Sequence, residues 1–181
     1  ELGFQYNNFN SRGLTSYLKE ELAKKYGEGE LIENAGLDLF FDHAALEAKG
    51  IDLYEIQQFT AQKAMQFPGV YMAIPGIDLT SNSYTQHIPQ LIQNAYHPKE
   101  NGDVKMVLNP GWQGGGMTGT GHGTPWTYDT HIPVIFYGWG VKPGKSVREI
   151  HITDIAPTVS MLLNMRLPSG ATGTPIFEAM K

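Results

Sequence analysis

The sequence predicts an α/β fold. Three observations carry that prediction: leucines spaced four residues apart near the start, short stretches of alternating apolar and charged residues, and an apolar run framed by glycines at 134–140. Apolar residues make up 41% of the 181, which suffices for a real core and argues against disorder.

Leu14, Leu18 and Leu22 repeat at i, i+4 and define the first helix. Lys24 and Lys25 suit its last turn, where cations complement the helix dipole, and Gly27 is placed to stop it. Two short strands follow, near 31–33 and 37–41, with Asn34-Ala35-Gly36 as the turn between them. Asp52 and Glu55 make a capping-box-like start, and Ile56, Phe59, Thr60, Ala64 and Phe67 share one face of the next helix. Pro68-Gly69 ends it, and 70–74 (VYMAI) has strand composition.

A third helix fits 85–95, with Ile88, Leu91, Ile92 and Ala95 at helical spacing. Residues 103–108 (DVKMVL) alternate and read as a half-buried strand, so the order β-α-β-α-β implies at least one crossover connection. A buried-type strand is expected at 134–140 (VIFYGWG). In 151–164 (HITDIAPTVSMLLN) a strand end feeds a helix that Thr153 or Asp154 can cap, with Pro157 in its first turn.

Composition removes several function classes. The net charge is −5 and the longest basic cluster is Lys24-Lys25, so no basic stripe exists to neutralise nucleic-acid phosphates. No run of 18 apolar residues provides a membrane span. The absence of cysteine removes disulfides, thiolate zinc sites and cysteine nucleophiles, leaving histidine and carboxylate as the metal ligands. No signal peptide opens the sequence, which fits an exported protein only if its leader has been removed.

Four places invite chemistry. Residues 114–119 (GGGMTG) match G-x-G-x-x-G formally, but two more glycines and Pro125 follow, and no helix can open there to meet a pyrophosphate. Asp42-His43 sits where a strand hands over to a short helix, and a capping role outweighs a metal pair. His87 and His97 fall on or just after a polar helix face and read as surface residues. His122 differs, because Gly121 and Gly123 remove side-chain bulk on both sides and permit positive φ. It lies in a loop before an apolar strand, where binding groups concentrate, although an exposed loop histidine fits the same local features equally well. One histidine does not make a zinc site, which needs three or four donors.

Taken together, 119–144 (GTGHGTPWTYDTHIPVIFYGWGVKPG) and 151–164 resemble the C-terminal end of the alkaline phosphatase superfamily. The nearest likeness is to bacterial monomeric, phosphate-irrepressible alkaline phosphatases, relatives of the nucleotide pyrophosphatase/phosphodiesterases. Residues 52–70 and 102–112 resemble the cap region of these enzymes. The resemblance implies an alkaline-phosphatase-like C-terminal fragment: an α/β cap-like lobe at 1–108, and the last strand and helix of the main sheet at 109–181 with a Gly-rich metal loop at 111–131.

It further implies phosphate-ester hydrolysis through a phosphorylated Thr or Ser, assisted by two zinc ions. His122 falls on a metal-ligand position, and Asp129 and His131 become groups that orient its loop. The nucleophile and the remaining ligands are expected upstream, so the chain alone is expected to be inactive and to bind no zinc tightly. The implied substrate is a small-molecule phosphate ester, and the implied location is periplasmic or extracellular. Segments shaped to pack on absent neighbours are expected to expose apolar surface and to promote self-association. A non-catalytic α/β binding module, or a sulfatase or phosphoglycerate mutase relative, stands as the alternative.

Overall fold

A computed structural model describes residues 7–114 and 121–181. The chain divides into two compact units, Glu1–His131 and Ile132–Lys181.

The first unit begins with β1 (Asn7–Asn8) and α1 (Ser11–Tyr26), and α1 takes its cap from Asn10, whose side chain accepts from the Gly13 N–H at 2.9 Å. Leu14, Leu18 and Leu22 are buried as their spacing predicts, and Gly27 stops the helix at φ +79°. Next come β2 (Ile32–Ala35), β3 (Asp38–Phe41) and α2 (His43–Lys49). Asn34 and Ala35 belong to β2 rather than to the expected turn, because a bulge between Ile32 and Asn34 lengthens the strand and moves the turn to Gly36 and Leu37.

Asp52 then caps α3 (Leu53–Ala64) by accepting from the Glu55 N–H at 2.8 Å. The unit continues through β4 (Val70–Pro75), α4 (Gly76–Ser81), α5 (His87–Ala95) and β5 (Val104–Leu108), and closes with β6 (Trp112–Gln113) and α6 (Thr127–Thr130).

The main sheet has the order β2-β3-β5-β4 with every pair antiparallel. The strands β3 and β4 therefore run parallel with β5 between them, so the crossover through α2 and α3 is split by a later strand. Leu14, Leu18 and Leu22 of α1 and Ile56, Ala61 and Ala64 of α3 join Leu39, Phe41, Val104 and Met106 of the sheet in one core. Each buried leucine contributes about 1.5–3 kcal/mol relative to exposure.

One carboxylate stitches this layer together. Asp103 accepts from the Phe41 N–H (2.8 Å) and from Gln57 Nε2 (3.1 Å), and it pairs with His43 Nε2 at 3.0 Å. Gln57 in turn accepts from the Ile77 N–H at 3.0 Å, linking α3 to α4.

In the second unit, a 3₁₀ turn at Ile152–Asp154 leads into α7 (Ile155–Leu162). Asp154 opens α7 as expected, but its carboxylate turns away from that helix. It accepts from the N–H groups of His151 (3.0 Å) and Thr174 (2.7 Å), and both bonds hold its pKa below the ordinary Asp value, the His151 bond most. The Thr158 hydroxyl donates to the Asp154 carbonyl at 2.6 Å and accepts from the Ile176 N–H at 2.8 Å. The segment around 174–176 is thereby strapped to the start of α7.

The strand expected at 134–140 does not form. Among the described residues this segment has no strand partner, and only an isolated bridge, Val141 to Met180, follows it. β-type composition alone does not make a strand, since the ladder hydrogen bonds need a neighbour.

Candidate functional site

The loop that carries His122 hangs from the end of β5. Beyond Leu108 the backbone turns at Gly111, which holds φ +74°, and β6 pairs in parallel with β1. The approach is tight at Gly69 as well, where a Cβ would stand 2.4 Å from the Trp112 ring. Residues 115–120 lie outside the described part of the structure, and with them most of the formal dinucleotide fingerprint at 114–119.

From Gly121 the loop is anchored at three points. Trp126 donates from Nε1 to the Leu108 carbonyl at 3.0 Å, and its ring meets Tyr71 edge-on with centroids 4.9 Å apart. Tyr128 Oη accepts from the Gly111 N–H at 3.3 Å. Asp129 accepts from the Thr124 N–H at 2.6 Å. The supporting roles of Trp126, Tyr128 and Thr124 emerge only from the structure; the sequence signal for them is an aromatic directly after Pro125 in an otherwise glycine-rich loop.

The two glycines beside His122 have different causes. A Cβ at Gly121 would lie 2.6 Å from the amide end of the Gln113 side chain, which would have to swing aside to admit it. Gly123 has open space around it but holds φ +96°, a backbone conformation that disfavours other residues. Between them His122 is exposed and makes no hydrogen bond to another described residue. The loop that carries it is fastened on its C-terminal side by Thr124, Trp126, Tyr128 and Asp129.

Asp129 has its pKa lowered, first by the Thr124 N–H, with the Gly123 N–H and the nearby His122 imidazole acting in the same direction. His131 follows α6, and its N–H closes that turn by donating to Thr127 O at 2.9 Å, while its side chain is exposed. The structure thus brings Asp129 and His122 into one electrostatic neighbourhood, and His131 contributes through its backbone.

Elsewhere Asp42 caps α2 by accepting from the Ala45 N–H at 2.9 Å, and His43 pairs with Asp103. Their neighbouring positions in sequence serve two separate structural contacts. His87 and His97 are exposed. Among the described residues no three His, Asp or Glu side chains come together to hold a metal, so His122 fits a metal as one donor and not as a complete site.

The chain is similar to part of a solved structure. Over 98% of its length it matches the crystal structure of the wild-type alkaline phosphatase PafA with a TM-score of 0.86 and 30% identity, covering 34% of that chain. The chain is alkaline phosphatase-like. The alkaline phosphatase PhoV of Synechococcus elongatus is 38% identical over 79% of this chain and 26% of its own length. A protein of Myroides odoratus named calcium-transporting ATPase is 34% identical over 96% of this chain and 32% of its own length. No family model matches. The alkaline phosphatase-like chain therefore spans about a quarter to a third of the length of these relatives. Among the described residues no helix is long and apolar enough to cross a membrane.

Proposed function

We propose that the protein carrying this chain is a zinc-dependent phosphoric ester hydrolase, and that His122 is one of its metal ligands. The observation that carries the proposal is the likeness to PafA over 98% of the chain, because it includes the loop on which His122 stands. Zinc bound there would stabilise charge on the attacking and leaving oxygens of a phosphate ester.

The chain's own contribution is positional. Gly121 lets the loop pass close to Gln113, Gly123 reverses it at positive φ, and Trp126 and Asp129 fasten the far side. An imidazole is thereby presented to solvent with no hydrogen bond to another described residue. Asp129, ionised and close by, favours a cation at the same place. The nucleophilic Thr or Ser and the remaining ligands belong, in this proposal, to parts of the protein outside these 181 residues, and the chain alone is inactive. A periplasmic or extracellular setting and a small-molecule phosphate ester complete the proposal.

The relative named a calcium-transporting ATPase supports ATP as a second substrate candidate. One experiment addresses both: phosphate release from p-nitrophenyl phosphate and from ATP by the full-length protein, before and after chelation and after zinc is restored. Zinc-dependent release from the ester is the expected result. No metal-dependent release from either substrate would refute the proposal.

A further inference from the structure

Strand β4 meets the loop of His122 at an irregular point. Val70 pairs with Leu108 and Met72 with Val107, so Tyr71 is an extra residue with no partner in the ladder. A bulge of this kind bends its strand and re-aims a side chain, and such bulges gather next to active sites. Here the ring of the extra residue meets Trp126 edge-on, with centroids 4.9 Å apart and planes at 74°. The Trp126 N–H goes to the carbonyl of Leu108, the β5 residue at the same bulge, at 3.0 Å. One indole is thus held from two strands, by its ring from β4 and by its N–H from β5. Tyr71 is 47% exposed and stands outside the buried core, and its hydroxyl makes no hydrogen bond to another described residue. The ring is what this position supplies.

We infer that Tyr71 is a positioning residue for the loop that carries His122, and that it acts through Trp126. The consequence for zinc rests on the assignment of His122 to the metal; the consequence for the loop does not. Trp126 lies four residues beyond His122, a stretch of chain that spans at most about 14 Å. The bond from the Thr124 N–H to Asp129 closes the turn in which Trp126 sits. An indole free to tilt therefore displaces the turn that presents the imidazole. Groups that orient a metal ligand without touching the metal change affinity or activity by about 10–100-fold when they are lost. A misplacement of about 1 Å is enough to have such an effect.

The test uses the full-length polypeptide containing the chain and reads two quantities. One is hydrogen exchange at the Thr124 amide in the metal-free protein; the other is zinc affinity, measured by competition with a chelator. Tyr71→Ala should speed the exchange and weaken zinc binding, each by about tenfold. The conservative Tyr71→Phe, which keeps the ring, should rescue both. In a Trp126→Leu background, Tyr71→Ala should add less than about twofold to either, because the two side chains act as a unit. A full additional effect in that background would overturn the action through Trp126. Unchanged Thr124 exchange in Tyr71→Ala would overturn the positioning role itself.

Two further variants keep the readings apart. Ile56→Val trims the buried core of α3 and should lower the melting temperature while leaving both quantities in place. If it moves them as far as Tyr71→Ala does, the effect is one of general stability and the inference falls. Unchanged zinc affinity in His122→Ala would sink the metal assignment, and Thr124 exchange would still decide the role of Tyr71. Zinc lost in His122→Ala but held normally in Tyr71→Ala would overturn the reach of Tyr71 to the ligand.

Discussion

The backbone N–H of Thr124 donates to Oδ2 of Asp129 at 2.6 Å and ties the turn bearing His122 to α6. Because this bond favours the ionised carboxylate, the folded pKa of Asp129 lies below the ordinary value of 3.8. A depressed carboxylate pKa stabilises the folded loop above the ordinary value, and that stabilisation is lost as pH falls through the lowered pKa. The Thr124 amide resonance should therefore hold its position from neutrality down to about pH 4 and then move towards its unstructured shift. In Asp129→Asn that acid-side transition should be absent; a transition unchanged in the variant would assign the titration to another group.

Thr60 makes a second, opposite case. Its hydroxyl is buried in α3 with no hydrogen-bond partner among the described residues. Replacing an unpaired buried hydroxyl by a methyl of similar size removes a desolvation cost, so Thr60→Val should stabilise the protein by about 1 kcal/mol in urea unfolding. A loss of stability would mean that the hydroxyl has a partner in solution.

Much of the first unit is legible in the sequence because its signals are local. Leu14, Leu18 and Leu22 give the buried face of α1, and Asp52 gives the start of α3, each within a few residues of the structure it directs. The insertion of β5 between β3 and β4 is not local. It depends on pairings such as Leu39 with Val104 and Ala73 with Met106, which no short pattern encodes. The segment at 134–140 shows the reverse failure, a strand composition that forms no strand because no described residue pairs with it. At the candidate site, the glycines pointed to His122, but the Trp126 contact with Leu108 is visible only in three dimensions.

The strap on α7 should be the weak point of the second unit. Thr158 is fully buried, and its hydroxyl is the acceptor for the Ile176 N–H. Thr158→Val leaves that N–H unpaired and should cost about 1–3 kcal/mol, with faster proteolysis at the C-terminal end. Gly173→Ala should act on the same contact, because its Cβ would come within 2.2 Å of the Thr153 carbonyl oxygen. If Thr158→Val leaves the C-terminal segment as resistant to protease as before, the strap does not hold it.

The most direct test of the central claim is the zinc-dependent hydrolysis of p-nitrophenyl phosphate by the full-length protein, compared between the original sequence and His122→Ala. Losing a ligand should lower the rate by about 100-fold or more, and Asp129→Asn, which loosens the loop and removes a nearby negative charge, should cost about tenfold. Bound zinc, measured on the same samples, should fall in His122→Ala. A His122→Ala protein that keeps its zinc and most of its rate would contradict the assignment of His122 to the metal.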